Sequence, residues 1–389
     1  MNNRQGKNIP FHKPSIGEED IKEVVDVLSS GWLTTGAKTK RFEEEFSRYV
    51  GSRHAVAVNS CTAALHLALS ATGLKENDEV ILPAMTFAAS GEVVTYFGAR
   101  PVLVDCDEDT LLIDPDRIEE KIGPKTKAIM PVHFGGQACD MDRITDLAEK
   151  YDLSVIEDAA HSLPASYKGR MIGTVGDITC FSFYATKTIT TGEGGMLCTD
   201  NDEWAEDARI MSLHGISKDA WKRYTAEGSW YYEIVKAGFK YNLTDIAAAL
   251  GLAQLKRCDE FRSRRAAVAQ KYTDSFAGIP EVKPLSKRDY GTHAWHLYVI
   301  QLNLEALKLT RAQFVKDLNE RGIGCSVHFI PLHLHPYYRK TFGTEANDLP
   351  VSSRVYERIV SLPIYPGMAE EDVTYVAEAV ARIIRENRK

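Results

Sequence analysis

The sequence predicts an α/β protein: a three-layer sandwich with a mostly parallel sheet of about seven strands, plus a smaller C-terminal α/β domain. Three observations carry this. From about residue 50 to 200, apolar strand-like runs alternate with helical patterns. Several of these runs are continuously apolar, as a sheet covered by helices on both faces requires. Past residue 245 the texture changes to a long helical stretch and a second, shorter strand–helix alternation.

Residues 17–28 and 40–49 read as helices ahead of the sheet. The strands follow at 55–58, 80–83, 101–105, 128–133, 154–157, 178–183 and 195–199. Between them 62–71 reads as a helix, and so does 141–151, which puts Met141, Ile144, Leu147 and Ala148 on one face. A single long helix is expected over 245–270, with Ile246, Leu250, Leu252 and Leu255 at apolar positions. A strand at 294–302, a helix at 310–321, a strand at 324–328 and a terminal helix at 370–384 complete the chain. The division is an N-terminal arm (1–15), a large domain (16–250) and a small domain (251–389).

Lys and Arg number 47 against 54 Asp and Glu, a net charge of -7, and no basic block interrupts that balance. A nucleic-acid surface is therefore not expected. No apolar run approaches the roughly 20 residues needed to cross a bilayer. Met1 to Lys7 are polar with no apolar core behind them, which predicts no secretory signal and a cytoplasmic protein. The seven cysteines, Cys61, Cys106, Cys139, Cys180, Cys198, Cys258 and Cys325, are scattered and never form Cys-x-x-Cys. That pattern fits reduced thiols and gives no zinc signal.

Ligands of open α/β sheets sit at the carboxyl ends of the strands, so the residues just after each strand matter most. Ser60, Cys61, Thr62 and Ala63 join a strand to a helix start, where free N–H groups make an anion cup and Ser or Thr equally makes a plain cap. The Gly-x-Gly-x-x-Gly and Gly-Lys-Ser/Thr patterns are missing there, which disfavours a dinucleotide or P-loop site. Phe87 offers a flat face to a ring, or is simply core. Asp158 fits either the partner of a protonated pyridine nitrogen or a helix N-cap. Asp158 and His161 as metal ligands lack clear companions. Lys187 lies between a β-rich run and a Gly192-Glu193-Gly194-Gly195 turn. That framing suits an amine that must be desolvated and aimed, and would also house an ordinary solvated lysine. Anion cup, aromatic stacker, ring-nitrogen carboxylate and Schiff-base lysine together describe pyridoxal 5'-phosphate (PLP).

The chain resembles the DegT/DnrJ/EryC1/StrS family of sugar aminotransferases, which have the aspartate aminotransferase fold (fold type I). The likeness rests on Ser30-Gly31-Trp32-Leu33-Thr34-Thr35-Gly36, Asp78-Glu79-Val80-Ile81-Leu82-Pro83, Glu157-Asp158-Ala159-Ala160-His161, Ser182-Phe183 with Lys187, Thr191 to Gly195, and Tyr241-Asn242-Leu243-Thr244-Asp245. Within the family it is most similar to the branch that aminates C4 of a 4-keto nucleotide sugar, on Lys240 to Ile246, His293-Ala294-Trp295-His296-Leu297, and Gly322-Ile323-Gly324 leading to His328-Phe329.

The resemblance implies that Lys187 is the catalytic lysine carrying PLP, that Asp158 pairs with the pyridine nitrogen and that His161 lies near the phenolic oxygen. It implies that Phe87 stacks on the ring, that Thr62, Ala63 and Ser182 bind the phosphate, and that Asn242 reaches the cofactor of the neighbouring subunit in a homodimer with shared sites. L-Glutamate then gives its amino group and leaves as 2-oxoglutarate, with pyridoxamine phosphate between the half-reactions. The nucleotide-sugar substrate is expected near Trp32, Thr34, Thr35, Gly36 and His328; a structural hydrogen bond is the other reading of His328. Tyr231 and Tyr232, in a Trp-Tyr-Tyr run, either frame the mouth of the site or pack a loop. A C3-keto acceptor and a PLP-dependent sugar dehydratase stay open as alternatives; the dehydratases carry histidine where this chain has Lys187. Intact Lys187 and Asp158 argue against a non-catalytic regulator.

Overall fold

The computed structural model describes residues 7–217 and 231–389. The first six residues of the expected arm and Trp230 of the Trp-Tyr-Tyr run lie outside the described residues. The strands in chain order are β1 His54–Val58, β2 Glu79–Pro83, β3 Arg100–Val104, β4 Thr126–Ile129, β5 Ser154–Asp158, β6 Ser166–Tyr167, β7 Arg170–Met171, β8 Ile178–Ser182, β9 Gly195–Thr199, β10 Val282–Pro284, β11 Tyr298–Leu302 and β12 Ile359–Leu362. One seven-stranded sheet runs β1-β9-β8-β5-β4-β2-β3. β9 is antiparallel to both its neighbours and the remaining pairs are parallel.

Both faces of this sheet are buried, which is why its strands read as apolar runs. In β1, Ala55 and Ala57 join one core with Phe42, Phe46, Phe181 and Phe183. Val56 and Val58 join the other, with Ala64, Leu65 and Leu69 of helix Cys61–Ala71. β1 is an edge strand, and side chains cover its free backbone. Glu43 accepts from the Ala57 N–H at 2.9 Å, Arg209 donates to the Ala55 carbonyl at 2.8 Å, and the two side chains pair at 2.8 Å.

A second sheet, β10-β11-β12, is antiparallel and packs with helices Cys258–Phe276, Arg311–Glu320 and Glu370–Glu386 around Tyr272, Tyr298, Ile300, Phe314, Val376 and Ile383. The described arm is stitched to this unit: Ile9 donates to the Gly322 carbonyl and accepts from the Gly324 N–H, both at 2.8 Å.

Four sequence expectations change here. The helix expected over 245–270 is two helices, Asp245–Leu255 and Cys258–Phe276. No glycine or proline marks the break. Tertiary contacts hold both sides of it: Gln254 donates to Ser15 and Asp20, and Arg257 pairs with Asp20. The strand expected over 324–328 is irregular backbone with isolated bridges at Ile323 and Ser326, because the arm occupies its edge. A side chain at Gly324 would meet the Phe11 nitrogen at 2.6 Å. The strand expected at 294–302 starts only at Tyr298, and the one at 128–133 ends at Ile129. Among the described residues no helix is long and apolar enough to cross a membrane.

Candidate active site

A cavity of about 610 Å³ opens at the carboxyl ends of β5 and β8 and the start of helix Cys61–Ala71. Thr62, Phe87, Asp158, His161, Ser182, Lys187 and His328 line it, so the structure brings these sequence-selected residues together.

Asp158 ends β5, buried. Its neighbour Glu157 points to the opposite face, as the period of a strand requires. There Glu157 contacts His133 Nε2 at 2.7 Å and accepts from Thr179 Oγ1 at 2.7 Å and the Gly176 N–H at 2.8 Å. Burial pushes the Glu157 carboxyl up, but the His133 contact and these donors outweigh it and hold the carboxyl below its ordinary range. Asp158 accepts from Ser90 Oγ at 2.7 Å and the Ala160 N–H at 3.1 Å. Ser90 spends its only proton on Asp158, so it accepts from Thr86 Oγ1 at 2.7 Å. The Ala160 bond is a local turn contact, and no helix begins at Asp158. A carboxylate has about four acceptor positions, so each Asp158 oxygen keeps one for a ligand.

Lys187 sits in the loop between β8 and β9. Phe183 closes that loop by donating to Gly194 and accepting from Thr191, both at 2.9 Å. Gly192 stands at φ +81°, where glycine is unstrained. Gly195 passes so close to the Ser60–Cys61 peptide that a side chain there would meet the Ser60 carbonyl at 2.5 Å. The loop is thereby pressed against the helix start. Burial lowers the Lys187 amine from 10.5 to about 8; Cys61 and Asp158 oppose this and Arg265 adds to it.

Ser60 caps helix Cys61–Ala71, accepting from the Ala63 N–H at 3.1 Å. Both readings of this turn therefore apply in part: the Ala63 N–H serves the cap, while the earlier N–H groups of the first turn have no intrahelical acceptor. Phe87 is 62% exposed, its ring bare apart from a tilted contact with Phe329 at 5.8 Å. It is not core.

His161 accepts from the Gly135 N–H at its Nδ1 (3.3 Å), which leaves the ring proton on Nε2. Burial pushes its pKa well below 6.5, and Lys187 and His328 push the same way. The ring is a neutral Nε2–H donor. His328 is lowered to about 4, by burial and then Lys187, and it contacts Ser361 Oγ at 2.9 Å. The structural bond and the cavity position of His328 thus coexist.

The other sequence-selected residues lie elsewhere in this chain. Thr35, Gly36 and Asn242 line a separate cavity of about 840 Å³. Asn242 donates to Thr35 Oγ1 at 2.6 Å, Trp32 Nε1 donates to the Thr35 carbonyl at 3.2 Å, and Gly36 N–H donates to Asp245 at 2.8 Å. The Asp245 N–H in turn donates to the Thr34 carbonyl at 3.2 Å. These bonds tie 32–36 to the start of helix Asp245–Leu255, so within one chain the segment does not lie over Lys187 beside His328. Tyr231 and Tyr232 are exposed and line neither cavity.

Sequence reasoning missed the wall residues Phe11, His12, His296 and Phe329, and Ser90, which holds Asp158 from behind. Ser90 lies one helical turn past Phe87 and was open to a spacing argument. Phe11 and His12 arrive with the arm, through contacts far apart in sequence.

The donor set fits PLP. It offers a lysine amine with a lowered pKa, a fixed carboxylate with open acceptor positions, a helix start with free N–H groups, and a bare aromatic face. The cavity falls in the usual range for small-molecule sites, about 300–1,000 Å³.

The DegT/DnrJ/EryC1/StrS aminotransferase family model matches residues 14–381. An uncharacterised protein of Methanocaldococcus jannaschii is 53% identical over 380 residues, 98% of each chain. The spore coat polysaccharide biosynthesis protein SpsC of Bacillus subtilis is 51% identical over 378 residues, 97% of each chain. Among solved structures, Spr1654 of Streptococcus pneumoniae, named as a sugar aminotransferase, superposes in its pyridoxamine-phosphate form with a TM-score of 0.91 at 37% identity, covering 98% of both chains. Its PLP form gives the same score and identity. Helicobacter pylori PseC, an aminotransferase of pseudoaminic acid biosynthesis, superposes with a TM-score of 0.91 at 29% identity, covering 98% of this chain and all of PseC.

Proposed function

The chain belongs to the DegT/DnrJ/EryC1/StrS aminotransferase family and is a PLP-dependent sugar aminotransferase, and on that premise we propose that it moves the amino group of L-glutamate to C4 of a 4-keto nucleotide sugar. A UDP-linked 4-keto pentose or 4-keto-6-deoxyhexose is the preferred acceptor. The observation that carries the site assignment is Lys187, its amine lowered to about 8 in one cavity with Asp158. The polysaccharide role in SpsC's name and the sugar-acid role in PseC's support a sugar nucleotide bound for a surface polymer.

When bound, the cofactor supplies a carbon that accepts and returns the amino group and a ring that takes up the electron pair left by proton loss. The chain supplies the rest. Lys187 Nζ would hold the cofactor covalently at rest and, once freed by the amino donor, would take the donor's α-proton and return it to the cofactor carbon. At a pKa of about 8, about one such amine in ten is neutral at pH 7, against fewer than one in a thousand for an ordinary lysine. Asp158, held by Ser90, would keep a proton on the ring nitrogen through opposite charge. His161 Nε2–H would be the donor to the phenolic oxygen. Phe87 would cover one face of the ring. Thr62 and Ser182 would hold the phosphate at the helix start; the Ala63 N–H is spent on Ser60 Oγ, so Ala63 serves through the cap and not as a phosphate donor.

The reading includes a cytoplasmic homodimer. The Trp32–Gly36 and Asn242 cluster, set apart from Lys187 in its own chain, faces the cofactor and sugar of the partner. The test incubates purified enzyme and L-glutamate with UDP- and dTDP-linked 4-keto and 3-keto sugars and follows 2-oxoglutarate. Formation with a 4-keto sugar alone supports C4; no 2-oxoglutarate with any 4-keto sugar nucleotide refutes it.

A further inference from the structure

Arg265, on helix Cys258–Phe276, is wholly buried, and no step above uses it. Its Nη1 donates to three backbone carbonyls: Ile364 at 2.8 Å, His296 at 3.3 Å and Trp295 at 3.4 Å. His296 and Ile364 line the Lys187 cavity, so the guanidinium stands directly behind its wall. Nε and Nη2 have no partner, and among the described residues no carboxylate pairs with the group.

Burying an unpaired cation is expensive, and an apolar side chain of similar volume would fill the same space without that penalty. The carbonyl bonds explain part of its presence. Trp295 stands at φ 52°, in the left-handed region where a bulky residue is strained. Arg265 donates to the Trp295 and His296 carbonyls, while the Gly136 and Gly135 carbonyls accept from the Ala294 and Leu297 N–H groups at 2.8 and 3.1 Å. The stretch so pinned carries His296, whose ring lies 4.3 Å from that of His161.

The charge is the other part. The titratable groups that act on or respond to Lys187 are Asp158 after β5, Cys61 at the helix start, His12 from the arm, His161, His296, His328, and Arg265. Burial lowers all four histidines, so they are neutral at pH 7, and burial raises the Cys61 thiol, which stays protonated. Asp158 is then the one anion of the set and Arg265 its one fixed cation, held behind the cavity wall.

We propose that Arg265 is a positioning residue of the amino transfer: its carbonyl bonds fix the Trp295–Leu297 wall beside His161, and its unpaired charge disfavours the ammonium form of Lys187. The opposing actions of Arg265 and Asp158 on the amine agree with this. The proposal rests on the reading of Lys187 as the cofactor lysine.

The test uses the full-length enzyme in its pyridoxamine-phosphate form, where Lys187 carries a free amine. Trace labelling with a small amine-reactive anhydride across pH, followed by peptide mapping, gives the Lys187 midpoint. The wild-type midpoint is expected below that of an ordinary lysine. Arg265→Gln keeps a planar donor for the carbonyls and removes the charge. Its midpoint rises above that of the wild type, with a matching loss of neutral amine at pH 7. Arg265→Lys keeps the charge and loses the fork; its midpoint stays with the wild type while the KM for the sugar nucleotide rises. A midpoint in Arg265→Gln equal to that of the wild type overturns the proposal. If the glutamine variant does not fold, salt decides on the wild type. A field between buried groups is unscreened, so the midpoint holds from low salt to 1 M; a midpoint that climbs with salt overturns the role of the buried charge. Borohydride reduction of the PLP form with the same mapping tests the underlying reading separately: cofactor on another lysine sinks that assignment, whatever the Arg265 variants do.

Discussion

Removing Lys187 should stabilise the cofactor-free protein. The folded amine titrates near 8 instead of 10.5. The difference, about 2.5 pH units at 1.36 kcal/mol each, is about 3 kcal/mol of folding free energy forgone whenever both folded and unfolded lysines are protonated. The sign follows from proton counting. The folded state binds this proton more weakly, so the penalty is fully present below pH 8. It fades as the folded amine deprotonates between about 8 and 10.5, and it is gone above the unfolded value. Lys187→Met keeps the length of the side chain and deletes the charge. Cofactor-free Lys187→Met is therefore expected to resist denaturant better than cofactor-free wild type at pH 6–7 by up to about 3 kcal/mol, with the gap closing towards pH 10.5. Urea unfolding of both proteins across that range measures it. A variant no more stable at pH 7, or a gap that stays constant with pH, would refute the view that Lys187 is held in a site hostile to its charge.

Asp158→Asn keeps the bond to Ser90 but loses the charge opposite the ring nitrogen; glutamate-driven formation of 2-oxoglutarate should fall at least roughly a hundredfold, while borohydride still traps cofactor on Lys187. Ser90→Ala removes a buried donor from a carboxylate, an interaction of about 1.5–3 kcal/mol, so kcat should fall about ten- to hundredfold with the fold intact by circular dichroism. Gly195→Ala drives a methyl group into the Ser60 carbonyl; the loop must shift from the helix start, and cofactor retention on dialysis should drop, with about 1–3 kcal/mol lost in unfolding experiments. Phe46→Ala empties a fully buried ring site between Phe42, Phe181 and Phe183 and should cost about 3–5 kcal/mol in unfolding without moving the Lys187 titration.

The main sheet was legible because burial on both faces leaves a plain mark: runs such as Ala55 to Val58 and Ile178 to Phe183 have few other readings. The residues around Lys187 were legible for a related reason, since parallel strands deliver whatever follows them to one edge. Asp158 and Ser182 follow or end such strands, and Thr62 opens the helix after β1. Where position depends on contacts distant in sequence, the sequence is silent. Nothing local tells that Arg265 faces the carbonyls of His296 and Ile364, or that Phe11 and His12 join the cavity. The break after Leu255 is of the same kind. Its sequence is good helix, and Ser15 and Asp20, far upstream, hold the turn. The loop at 32–36 read as substrate-facing, yet in its own chain Asp245 keeps it away from Lys187.

The strand period sends Glu157 and Asp158 to opposite faces of β5, so a slip by one residue would exchange them. Both are carboxylates, and hydrophobicity alone distinguishes them poorly. The partners do the distinguishing. On one face Glu157 meets a matched set, His133, Thr179 and the Gly176 N–H, all within 2.8 Å. On the other, Asp158 meets one serine, its own turn and an open cavity. A carboxylate with three partners is far costlier to displace than one with acceptor positions still open. Glu157 therefore locks β5 in place from the side away from the chemistry. The locked strand leaves Asp158 where it stays incompletely satisfied, which is the condition a ligand nitrogen needs.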